Sequence, residues 1–162
     1  MSGSVRPRLV AAAAVLSAAC LGVFATAALA ATVPNPCKLL SPATIASTVG
    51  LKGVTLTGIL STRPDGAVKQ SLCTFTHGTT KIEIMVAPHQ PSGGSGGPPG
   101  MHKLLPSGLG SGATDYYDTT PPYTFANVSF TKGNLDATAY DSGTLPNDLV
   151  VELARLVYKA LP

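Results

Sequence analysis

The sequence predicts an α+β domain: an antiparallel sheet of five to six strands, with a short N-terminal helix and a C-terminal amphipathic helix on one face. Three observations predict it. Between residues 54 and 140 several runs alternate apolar and polar residues with the period of two that strands require. Two pairs of these runs are joined by short Gly-containing turns, His77-Gly78-Thr79 and Lys132-Gly133-Asn134, as antiparallel hairpins are. The segments of helical spacing lie outside the strand series, which argues against parallel strands linked by helices.

An export signal precedes this domain. Arg6 and Arg8 form a basic head, Leu9 to Ala30 carries no charge, and the stretch ends Ala28-Leu29-Ala30, a pattern of small residues that signal peptidase accepts. Cleavage between Ala30 and Ala31 leaves residues 31–162 as a single mature domain. Two other readings stand beside this one. Leu9 to Ala30 is long enough to stay in the membrane as an anchor across a core of ~30 Å, and Cys20 is a candidate for lipid attachment. Against the anchor stand its alanine content and the cleavage pattern. Against the lipid stand Ser17, where a Leu-like residue is wanted, and the apolar stretch that follows Cys20.

With Cys20 removed, Cys37 and Cys73 remain, and two cysteines in an exported chain usually pair. Such a bridge closes a loop worth ~3–4 kcal/mol in the chain-entropy description. Two buried free thiols are the alternative. A metal site is disfavoured, since no Cys or His stands at ligand spacing beside either one.

Thr32 to Asn35 reads as an extended arm. Ser41 is a candidate cap and Pro42 suits the first helical position, so a helix runs from about Pro42 to Val49 and ends at Gly50. Val54 to Leu60 alternates as a strand, with Val54, Leu56 and Leu60 on one side. Arg63-Pro64-Asp65-Gly66 reads as a turn. Leu72 to Thr76 and Lys81 to Ala87 form the first hairpin, with Ile82, Ile84 and Val86 inward and Lys81, Glu83 and Met85 outward. Of the 25 residues from Pro88 to Gly112, 13 are Gly or Pro, so this stretch is expected to be a mobile loop within the domain. Tyr116 and Tyr117 lie in a further strand. Tyr123 to Thr131 and Leu135 to Tyr140 form the second hairpin, with Ala126, Val128, Phe130, Leu135, Ala137 and Ala139 inward. Leu149, Val150, Leu153, Leu156, Val157 and Leu161 recur at helical spacing in a last helix from about Pro146 to Ala160.

Charged residues make up 12% of the chain, too few for a highly charged disordered protein. The net charge of +3 falls to +1 without Arg6 and Arg8, which excludes nucleic-acid binding by a dense basic surface. No motif assigns a catalytic residue, a cofactor or a metal. Gly93-Gly94-Ser95-Gly96-Gly97 matches the letters of a nucleophile elbow, but it lacks the strand and helix that would strain and present Ser95. Gly108 to Gly112 has the glycines of a phosphate-cradling turn without its Lys, and reads as flexible chain. His77, His89 and His102, with Asp115 or Asp118, could meet as metal ligands only through the fold, because no H-x-x-x-H pair exists. Glu83, the outward residue of a strand, and Glu152, among the polar positions of the last helix, are not marked as a general acid–base pair. Tyr116, Tyr117 and Tyr123, beside Pro121-Pro122, are the best candidates for a binding patch, since Tyr supplies area at low entropy cost; their alternative role is core packing. Asn127-Val128-Ser129 is a glycosylation sequon inside a strand.

The run Pro36-Cys37-Lys38-Leu39-Leu40-Ser41-Pro42-Ala43, a short helix ending at Gly50, and then Cys73-Thr74-Phe75 resembles exported actinobacterial proteins grouped as domain of unknown function 3558, many of them lipoproteins. Ala43 and Thr44 stand where that pattern carries an acidic residue. The resemblance implies an α+β exported domain with a Cys37–Cys73 bridge, and it supplies no catalytic residues. The expected function is therefore a non-enzymatic binding or cell-envelope-associated module. Its partner would be a protein, a peptide or a small apolar molecule. The alternative is a secreted hydrolase whose site is assembled from distant residues, Ser95 or a histidine among them.

Overall fold

The computed structural model describes residues 32–53, 55–65, 68–91, 102–118, 124–142 and 145–162. The expected signal with its expected cleavage residues Ala28, Ala30 and Ala31, the Cys20 and membrane-anchor readings, Ser95 and Tyr123 all lie outside them.

The chain begins with a 3-10 turn, Pro36–Lys38, capped by Asn35, whose Oδ1 accepts the Cys37 backbone N–H at 2.9 Å. Helix α1, Pro42–Thr48, follows. Ser41 Oγ accepts the Thr44 N–H at 3.0 Å and Pro42 occupies the first turn, where its missing donor is not needed. The helix ends in a Schellman arrangement. Gly50 takes a φ of 77°, its N–H reaches Ser47 O at 3.3 Å, and the Leu51 N–H reaches Ala46 O at 2.8 Å.

Seven antiparallel strands form one sheet, in the order β1-β2-β3-β7-β6-β5-β4: β1 Thr57–Asp65, β2 Val68–His77, β3 Thr80–Pro88, β4 His102–Leu104, β5 Thr114–Asp118, β6 Phe125–Lys132 and β7 Leu135–Asp141. Two meanders therefore meet at β3 and β7. Residues 89–101 join β3 to the far edge of the second meander. That edge is four strand positions away, roughly 19 Å at ordinary strand spacing. Both hairpins read from the sequence are present, closed by Gly78-Thr79 and Gly133-Asn134. Helix α2, Asn147–Ala160, packs on β6 and β7 beside α1, and the 3-10 turn packs on β1 to β3.

All helical elements thus cover one face of the sheet. Its residues Phe75, Ile82, Ile84, Val86, Val128, Phe130, Ala137 and Ala139 form the core with Ile45, Val150, Leu153 and Val157. Cys37 and Cys73 are joined (Cα–Cα 5.1 Å), tying the first turn to the buried middle of β2. Among the described residues no helix is long and apolar enough to cross a membrane.

The structure corrects three local readings. First, Arg63, Pro64 and Asp65 are not a turn but the end of β1, paired with Gln70, Lys69 and Val68. Proline is tolerated because β1 is an edge strand, where no neighbour needs its missing N–H. Second, the side of this strand that carries Leu56 and Leu60 is not buried along its length: Leu56 is buried, but Leu60 is 50% exposed and Ile59, on the opposite face, 60%. Third, residues 102–112 are not all loop. His102–Leu104 adds a seventh strand, and Leu109 is fully buried in the core. Gly108 and Gly110, with φ of 82° and 85°, bend the chain on either side of Leu109, so the glycines that read as flexible chain insert an anchor instead.

Candidate functional site

The face of the sheet opposite the helices carries the alternate residues of every strand. One register row crosses it as Ile59, Thr74, Glu83, Tyr140, Asn127 and Tyr116. The next row includes Leu72, Met85, Thr138 and Ser129. No helix covers these residues, yet Leu72 and Tyr116 are buried and most of the others are half-buried. A solvent-open groove of about 390 Å³ lies over them.

The groove has an apolar floor and a polar rim. Leu72, Met85 and the ring of Tyr140 supply the floor. Tyr140 is held by stacking on Phe125, centroid to centroid 6.4 Å with 24° between planes. On the rim, Lys81 Nζ lies 2.9 Å from Glu83 Oε1, which also accepts from Thr74 Oγ1 at 3.3 Å. Ser129 Oγ donates to Asn127 Oδ1 at 3.0 Å and lies 3.0 Å from Thr138 Oγ1. Arg63 reaches the groove from the edge strand and forms no ion pair with a described side chain. With Lys81 matched by Glu83, the net charge of the described lining is the single positive charge of Arg63.

Glu83 is the one carboxylate among the described lining residues and is engaged by Lys81 and Thr74. The Thr138 hydroxyl lies on Ser129, with no base beside it. The floor suits the flat or aliphatic body of a small molecule, and the volume falls within the ordinary range for ligand sites.

Tyr116 and Tyr117 do not share one face of the sheet. Tyr116 and Tyr117 are successive residues of β5, so they point to opposite faces. Tyr117 packs against the core, whereas Tyr116 lies beside Asn127 on the groove face. The histidines are also spread. His77 and His89 stand at opposite ends of β3, and the His102 backbone lies in β4 at the far edge. His89 Nδ1 lies 2.8 Å from Asp136 Oδ1, an exposed pair. Among the described residues no three His, Cys, Asp or Glu side chains gather as metal ligands.

Asp115 and Asp118 stand three apart on β5 and face opposite ways. Asp115 is fully buried under α2, where its Oδ2 accepts from Asn147 Nδ2 at 2.6 Å. Its Oδ1, and Oδ1 of Asn147, have no hydrogen-bond partner among the described residues. Burial raises the Asp115 pKa above the ordinary 3.8, and the Asn147 hydrogen bond lowers it by less. Glu152 pairs with Arg155 on the surface of α2, away from the groove.

Sequence reasoning missed Arg63, Leu72, Asn127 and Tyr140 as a group. The available signal was chemical: Leu72, Met85 and Tyr140 occupy the outward positions of alternating strands, where charges are usual. No protein-family model, curated protein or solved structure matches this chain.

Proposed function

We propose that this chain is an exported, non-enzymatic binding module of the cell envelope or extracellular space, and that its ligand lies in the groove on the open face of the sheet. The carrying observation is that groove, with its apolar floor of Leu72, Met85 and Tyr140 and, at its rim, Arg63, which forms no ion pair among the described residues. Export is supported by the charge-free stretch that ends Ala28-Leu29-Ala30 and by the Cys37–Cys73 bridge, which persists in oxidising compartments. The chemistry of the groove favours a small amphipathic molecule: an apolar body against the floor and an acidic group toward Arg63.

Fluorescence titration of the oxidised protein with the anionic ring compound 8-anilinonaphthalene-1-sulfonate tests this. Saturable one-to-one binding is expected, weakened at least fivefold by Arg63→Ala and abolished by Met85→Glu. An unchanged affinity in both variants refutes the site. Labelling by a fluorophosphonate probe that Ser95→Ala abolishes would establish the hydrolase reading instead.

A further inference from the structure

We propose that two copies of this chain join edge to edge through β1, antiparallel, around a two-fold axis that passes through Ile59. Among the described residues all four exposed large hydrophobic side chains sit at the two edges of the sheet: Ile59 and Leu60 on β1, and Leu104 and Leu105 at the end of β4. Edge strands of soluble proteins are usually protected by charge, proline, a bulge or shortness. β4 has three residues and is followed by Pro106, so it is protected by shortness. β1 has nine, and its protecting residues Arg63 and Pro64 both lie near its C-terminal end. Thr57 to Thr62 is left as an uncharged edge, and no backbone hydrogen bond among those of the described loops and turns reaches its outer side.

The sequence of this edge is matched to itself. An axis normal to the sheet keeps the helix-covered faces of both copies on one side, so residues placed opposite each other must share a face. The axis therefore falls on a residue rather than between two. Centred on Ile59, the pairing sets Ile59 against Ile59 of the second copy on the open face, and Thr57 against Ser61. On the helix-covered face it sets Leu60 of one copy across from Gly58 of the other. Gly58 can carry no side chain there, because a Cβ would lie 2.9 Å from Phe75 Cε1. The half-exposed Leu60 thus faces a residue without a side chain of its own, beside the edge of the Phe75 ring. Arg63 lies beyond the self-paired stretch Thr57–Ser61, so no like charges meet. This self-matching register favours a second copy over an unrelated extended peptide. It would make one continuous sheet with both grooves open on the same side.

Sedimentation equilibrium of the secreted, disulfide-bonded protein at 5–500 μM tests the proposal. A monomer–dimer equilibrium is expected, weakened at least tenfold by Ile59→Lys and by Leu60→Lys. Thermal midpoints should be unchanged, since both side chains are half or more exposed. Independently, mild oxidation of Ile59→Cys should give a covalent dimer, and Thr62→Cys should not, because those positions lie roughly 20 Å apart in this register. A monomer throughout the range overturns the proposal, as does a dimer indifferent to both lysine variants. Cross-linking through Leu104→Cys in place of Ile59→Cys overturns it as well.

Discussion

Asp115 shows how one side chain can set a pH dependence that the rest of the molecule conceals. Its carboxyl is buried and, among the described residues, has one donor, Asn147 Nδ2, and no cation in an ion pair. Desolvation is thus opposed by a single amide hydrogen bond, and the folded pKa lies above the ordinary 3.8. The sign of the effect follows. A raised folded pKa means that the folded state holds the proton more tightly than the unfolded chain. Its contribution to stability is full below 3.8 and is lost as pH rises through the folded value. Asp115→Asn removes this titration and can offer Asn147 Oδ1 a donor. Denaturant titrations from pH 3 to pH 8 should show the wild type losing stability relative to Asp115→Asn as pH rises. Parallel curves for the two proteins would contradict this account.

At the scale of elements, the helices illustrate two kinds of ending. α1 is capped by its own neighbours, Ser41 before it and Gly50 after it, and both caps are visible in sequence. α2 is capped from a distance. Lys132, at the end of β6, donates from Nζ to Tyr158 O at 3.0 Å and Leu161 O at 2.6 Å, and lies 5.1 Å from the centre of the Tyr158 ring. A cation on the last carbonyls offsets the negative end of the helix dipole. Lys132→Met keeps most of the stem and removes the charge and both hydrogen bonds. It should cost about 1–2 kcal/mol, read by urea denaturation. The disulfide acts at the same scale, holding the first turn against β2, which no local propensity would do.

For the whole molecule, the decisive arrangement is the meeting of two meanders at β3 and β7. It leaves one face without a covering helix among the described residues, and side chains of β1, β2, β3, β6 and β7 on that face line the groove. It also sends the chain to the far edge before it returns through β4 and β5, and Leu109 fixes that return by filling the core. Leu109→Ala should cost roughly 2–5 kcal/mol, the ordinary range for a fully buried leucine. A loss below 0.5 kcal/mol in chemical denaturation would show that this segment does not anchor the fold.

Much of this was legible in the residues themselves. The α1 caps, both hairpins, the inward triads of β3, β6 and β7, and the stripe of α2 depend on neighbours within a few positions, and such short-range chemistry is written directly in sequence. The Cys37–Cys73 pairing was reachable because only two cysteines lie beyond residue 30. The strand order, the extension of β1 through Pro64, the burial of Leu109 and the gathering of Arg63, Leu72, Met85 and Tyr140 on one bare face were decided by tertiary structure. Each depends on which distant strands lie side by side, and a residue's own neighbours carry no trace of that. The sequence determined which side of each strand would be apolar; only the assembled sheet decided which of the remaining residues would face one another.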